Sequence, residues 1–244
     1  MIWVLYLLAI AGAELVTALG NPIGGIVFHA IILVALILHA SLTREPSDRR
    51  LFLSLSLAPL IRVLSLSMPL TDFPQIYWYL IVAIPLFAAT FVIIRMLNYR
   101  RSEVGLIIGR MPIQLLVAAT GVFFGVAEFY ILRPEPLIAA FTWQSVLLPA
   151  LIMLVATGFA EELLFRGVMQ RPSLEVMGTP GLLYISAVFA ALHIGYLSPI
   201  DVVFVFVIGL FFAWVVKRTG SLFGVTLSHG IANITLYLIT PFIL

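Results

Sequence analysis

Residues 146–170 read VLLPALIMLVATGFAEELLFRGVMQ. A helix rises about 1.5 Å per residue, so about 20 mostly apolar residues cross the hydrocarbon core of a bilayer. This run is long enough and apolar enough to do so, yet it carries Glu161, Glu162 and Arg166. Ionisable groups are costly in hydrocarbon and persist there when they pair or do chemistry. Reading the stretch as a membrane span therefore decides the fold class and says where to look for function.

The rest of the chain supports that reading. Of its 244 residues, 63% are hydrophobic and 10% charged, against about 25% charged in an ordinary soluble protein. No soluble fold hides so much apolar surface. The chain has no cysteine, which excludes disulfides, thiolate metal sites and a cysteine nucleophile. The formal charge of +2 comes from basic residues scattered among loops, so a nucleic-acid partner is not expected. The first 20 residues lack the positive leader of a signal peptide and read as a first span.

The apolar runs predict an all-α polytopic transmembrane bundle of about nine spans. These are 2–19, 24–42, 51–70, 77–97, 113–132, 146–170, 181–197, 200–217 and 221–242. The third alternates Leu and Ser and contains Pro59 and Arg62. It is taken as an irregular helix, because an isolated strand cannot satisfy its backbone in lipid. Residues 133–145 also read as a short re-entrant segment, which would reduce the count to eight. Residues 98–112 read either as an interfacial helix or as an ordinary linker. The layout divides into N-terminal transmembrane helices, 1–145, and a core, 146–244, within one integral membrane domain.

All but Arg62 and Arg133 of the 13 basic residues fall in or beside the loops after spans two, four, six and eight. The positive-inside rule places those loops in the cytoplasm and both termini outside. A multi-pass protein of the cell (plasma or inner) membrane is expected.

Most ionisable residues in the N-terminal half read as structural. Glu14 and Glu128 are each alone in their spans and are candidates to pair with Arg62; His29 and His39 share a plain apolar helix. The C-terminal half differs. Glu162 and Arg166, four apart, share a helix face, while Glu161 points about 100° away. One carboxylate can be neutralised by its own helix while the other serves proton transfer. Phe189 and His193 lie one turn apart, as do His229 and Asn233 in the last span. Gly158, Ala160, Gly167, Gly230 and Ala232 would permit close helix packing around them.

The motifs EELLFR (161–166), FAALH (189–193) and HGIAN (229–233) resemble those of the CPBP family, the CAAX prenyl endopeptidases and bacteriocin-processing and immunity proteins. The resemblance covers roughly 146–244 and implies a glutamate-dependent intramembrane endopeptidase without metal or other cofactor. In that scheme Glu161 activates water, assisted by His193, and His229 and Asn233 form the oxyanion hole. Glu162, Arg166 and Phe189 support the site. The implied partner is a peptide or protein substrate at the bilayer, lipidated in the CAAX case, reaching a site that opens toward the cytoplasm. Two alternatives stand beside this reading. One is a non-catalytic scaffold or immunity factor on the same fold. The other is a zinc protease with Glu161 or Glu162, His193 and His229 as ligands. Neither H-E-x-x-H nor G-x-S-x-G occurs in the chain.

Overall fold

The computed structural model describes residues 2–244. It is all-helical, 80% of it in helix, with no strand among the described residues. The apolar helices, in order, are α1 (Ile2–Ala18), α2 (Pro22–Leu42), α3 (Pro46–Ser67), α4 (Gln75–Met96) and α5 (Met111–Leu132). They are followed by α6 (Trp143–Met177), α7 (Pro180–Ala191), α8 (Pro199–Thr219) and α9 (Phe223–Phe242).

Seven of these are long and apolar enough to cross a membrane. The other two apolar stretches, α1 and Pro180–Tyr196 (α7 with the short turn after it), are shorter and occupy the first and seventh expected spans. At about 1.5 Å per residue they fall short of a hydrocarbon core about 30 Å thick. The chain is a multi-pass membrane protein, and its surface agrees. Leu116, Phe123 and Leu147 are each at least 70% exposed, on sides where a soluble protein would place polar groups.

Local chemistry sets the helix starts. The Asn21 side chain accepts from Gly24 N, with Pro22 at the first helical position of α2. Thr142 and Ser145 form a reciprocal capping box at the start of α6. Helix α3 is irregular, as its sequence predicts, but begins earlier, at Pro46, and breaks at Ser56. Pro59 has no N–H to offer Leu55 O, and its ring crowds that carbonyl. Residues 98–112 form no interfacial helix. Asn98, Gly105 and Gly109 all have positive φ, and the linker is held instead by Leu222 N donating to Gly105 O and Ser221 Oγ to Ile108 O. Residues 133–141 are likewise a loop without helix, with Leu137 N donating to Tyr237 O.

The chain forms two compact units. The first comprises the residues up to Met68, Ala88–Tyr99 and Val168–Trp214. In it α1 packs on α2 and α7, and α3 on α2 and the end of α6. Several of its internal polar groups are paired. Glu14 is bound to Arg62, the pairing expected of that arginine, and His39 stacks on the Phe52 ring at 4.0 Å. Ser173 and Ser186 donate to carbonyls four residues back in their own helices.

The second unit comprises Pro69–Phe87, Arg100–Gly167 and Val215–Leu244. Here α9 packs on α5 and on the first half of α6. A core of Phe129, Ile152, Met153 and Leu236–Leu238 closes one end.

Candidate active site

Helix α6 is not a uniform helix. Two π segments, Met153–Phe159 and Leu163–Met169, flank a three-residue α stretch, Ala160–Glu162. Such wide turns are rare in proteins and are frequent at functional sites. The two adjacent carboxylates sit between them in unlike surroundings. The Glu162 side chain is fully buried, while that of Glu161 is 28% exposed.

Glu162 Oε1 accepts from Arg166 Nη1 at 2.9 Å, the i to i+4 pair its sequence predicts. The same oxygen accepts from His229 Nδ1 at 2.9 Å. An oxygen that accepts from Arg166 also accepts from the ring, so Nδ1 is the donor of that bond. The other ring nitrogen, Nε2, lies 3.9 Å from Glu161 Oε2. The imidazole thus stands between the two carboxylates with a different nitrogen toward each. Glu162 Oε2 is buried and has no hydrogen-bond partner among the described residues.

His229 reaches Glu162 because α9 approaches α6 closely. A Cβ on Gly158 would lie 2.8 Å from both Gly230 N and Thr226 O, and one on Gly230 2.9 Å from Leu154 Cα. On another side, Gly121 and Gly125 of α5 face the carbonyls of Ser228 and Ala232 as tightly. Small residues let helix backbones meet where lipid supplies no hydrophobic drive. The glycines therefore fix the helix that carries His229 and Asn233.

Asn233 Nδ2 donates to Thr157 Oγ1 at 2.8 Å, and the Thr157 hydroxyl donates to Met153 O. One amide hydrogen is committed, which sets the plane of the carboxamide and the direction of the second. The sequence reading missed Thr157. The signal was present: it is the polar residue one turn before Glu161 in an otherwise apolar run.

The structure brings Glu161, Glu162, Arg166, His229 and Asn233 together within the second unit. Phe189 and His193 belong to the first unit. His193 lies near the end of the apolar helical stretch Pro180–Tyr196, in the turn that follows the regular part of α7 at Ala191. Its Nδ1 bonds Phe189 O at 3.0 Å. A carbonyl only accepts, so Nδ1 is the donor, capping a helix-end carbonyl. Phe189 also sets the ring from the side, centroids 4.9 Å apart, with Tyr196 at 6.0 Å.

A zinc site needs several such ligands converging. Among the described residues no three His, Cys, Asp or Glu side chains are grouped so as to hold a metal ion.

Residues 142–235 match the family model described as type II CAAX prenyl endopeptidase Rce1-like. The match spans all three motifs and supports the CPBP family; together with the apolar helices it indicates a membrane protease. No curated protein and no solved structure matches the chain.

Proposed function

We propose that the chain is a glutamate-dependent intramembrane endopeptidase that hydrolyses peptide bonds of membrane-associated substrates. One observation carries the reading: two neighbouring carboxylates are divided between a buried charge network and a partly exposed position beside an imidazole. Glu162 is committed to Arg166 and His229. Glu161, partly exposed, is the group assigned to the attacking water.

Glu161 takes a proton from water as the oxygen attacks the scissile carbonyl, and returns it to the leaving amine. His193 assists, as the family resemblance implies. The developing oxyanion is met by the second Asn233 Nδ2 hydrogen and by His229 Nε2. A donor at Nε2 requires the protonated ring, since Nδ1 already donates to Glu162. With that ring charged, the two glutamates are balanced by Arg166 and His229, and the cluster is neutral.

The Glu162–His229 bond favours a second reading. A neutral ring oriented through Nδ1 by a carboxylate presents Nε2 as a base, as in a carboxylate–histidine dyad. Glu161 would then polarise the water rather than deprotonate it. Ring nitrogen shifts of His229 in the free enzyme separate the two: a doubly protonated ring fits the oxyanion donor, and a ring protonated at Nδ1 alone fits the base.

The proposed topology has nine crossings, with α1 and α7 counted, both termini outside and the site opening to the cytoplasm. The function is tested by comparing membrane-protein termini in cells carrying wild type or Glu161→Gln. New termini present with wild type and missing with the variant are expected. Identical terminus sets would favour a non-catalytic scaffold.

A further inference from the structure

The N-terminal helices carry no family motif, yet they hold a buried charge cluster. Glu14 of α1 is 1% exposed, and its Oε1 accepts from Arg62 Nε of α3 at 2.5 Å. His29 of α2, fully buried, places Nε2 3.3 Å from the same oxygen. The other end of the guanidinium leaves the cluster: Arg62 Nη2 donates to Leu192 O. Leu192 is the residue immediately before His193.

This contact lies where α7 stops. Helix ends leave carbonyls without intrahelical partners, and buried ones must be satisfied. Phe189 O is satisfied by the His193 ring and Leu192 O by Arg62. The first bond sets which nitrogen of the ring carries hydrogen. The second fixes the backbone from which the ring projects. A Cβ on Gly195, beyond His193, would also stand 3.8 Å from Arg62 Nη2, so the guanidinium lies under the turn. More than two turns earlier in α7, Tyr184 OH donates to Trp3 O and ties the helix to α1.

Stability alone does not account for the cluster. Taking two charges out of water is expensive, and apolar pairs of similar volume are often as stabilising or more so. An arginine does supply something apolar residues cannot: a rigid fork that bonds a carboxylate on one edge and a carbonyl on another.

We propose that Glu14 and Arg62, with His29 behind them, are positioning residues for His193, holding the Leu192–His193 backbone so that the ring keeps one tautomer and one direction. The proposal rests on the reading of His193 as an assisting group of the peptidase.

The test uses the full-length protein in nanodiscs with ¹⁵N-labelled histidine, the four histidine signals assigned by single substitutions. The double variant Glu14→Leu/Arg62→Met removes the pair without leaving a buried charge. It should melt near wild type, while His193 loses its single Nδ1–H signature and averages between tautomers. On a peptide cleaved by wild type, kcat should fall about 10–100-fold, the scale of a small misplacement, with KM little changed. A wild-type His193 spectrum together with wild-type kcat in a folded double variant overturns the proposal. Should the double variant not fold, Arg62→Lys carries the test. An ammonium still neutralises Glu14, but a point charge replaces the fork, and an unaltered His193 signal there overturns the proposal equally. If wild type cleaves nothing, the peptidase reading fails by itself. The histidine spectra then still decide whether Arg62 positions the ring.

Discussion

Glu162 Oε1 and His229 Nδ1 meet at 2.9 Å across 67 residues of chain. That bond joins the first and third motifs into one network and gives the imidazole a defined nitrogen on each side. It also divides the glutamate pair. A carboxylate that already serves Arg166 and His229 is poorly placed to shuttle protons, and its neighbour faces the opposite ring nitrogen at 3.9 Å.

Unequal losses should follow from substituting the two. Glu161→Gln keeps shape and removes the proposed base, so turnover should vanish while the melting temperature holds. Glu162→Gln leaves Arg166 buried without its anion and His229 without its carboxylate. Breaking a buried pair typically costs about 3–5 kcal/mol, so expression and melting temperature should drop. Turnover and thermal melts on both variants check this. Normal turnover in Glu161→Gln beside a stable, inactive Glu162→Gln would show the roles reversed.

The sequence made the helices and the Glu162–Arg166 pair legible, because apolar length and i, i+4 spacing are local properties. It did not show that Arg166's partner also holds His229. A helical wheel orders faces within one helix and says nothing of which turn of α9 meets α6. Gly158 and Gly230 were visible as small residues, but their mutual contact is a three-dimensional fact. The apolar run containing His193 is legible as a span, but the change from regular helix to a turn after Ala191 is not. The end of α7 is set instead by tertiary bonds to Arg62 and by the His193 ring itself.

Asn233 and Thr157 should form a graded pair. Asn233→Ala removes a proposed oxyanion donor and should lower kcat by about 10²–10³ with little effect on KM. Thr157→Val keeps the shape but releases the carboxamide, so its loss should be smaller, and Thr157→Ser should restore most of it. Steady-state kinetics on the three variants test the order. Full activity in Thr157→Val would mean that Asn233 does not need the hydroxyl.

Close approach of α6 and α9 should make Gly158 intolerant of a single methyl group. The nearest atoms to that methyl are backbone N and O of α9, which cannot swing aside. Overpacking of this kind costs about 1–3 kcal/mol, and here it also displaces His229, so stability and turnover should fall together. Gly12→Ala is the control: nothing lies within 4 Å of that added carbon. Detergent-solubilised melts should show Gly12→Ala at or above wild type.

Metal dependence is a separate question. With Glu161 activating water directly, strong chelators should leave turnover unchanged and the purified protein should lack stoichiometric zinc by elemental analysis. One zinc per chain, with activity lost on removal and restored on return, would favour the metalloprotease.

Topology tests whether the short helix α7 crosses. Since the chain has no cysteine, single substitutions report side without background. Between Arg100 and Lys217 lie α5, α6, α7 and α8. If all four cross, Arg100→Cys and Lys217→Cys label from the same side, and the positive-inside rule makes that side the cytoplasm. If α7, with 12 residues, only enters the bilayer and returns, the two label from opposite sides. Glu135→Cys is separated from Arg100 by α5 alone and should label from outside in either case. An impermeant maleimide on intact cells and on inverted vesicles distinguishes these patterns. We expect Arg100→Cys and Lys217→Cys together inside, with α7 completing its crossing through the His193 turn. Labelling on opposite sides would remove α7 from the spans and place the C-terminus in the cytoplasm.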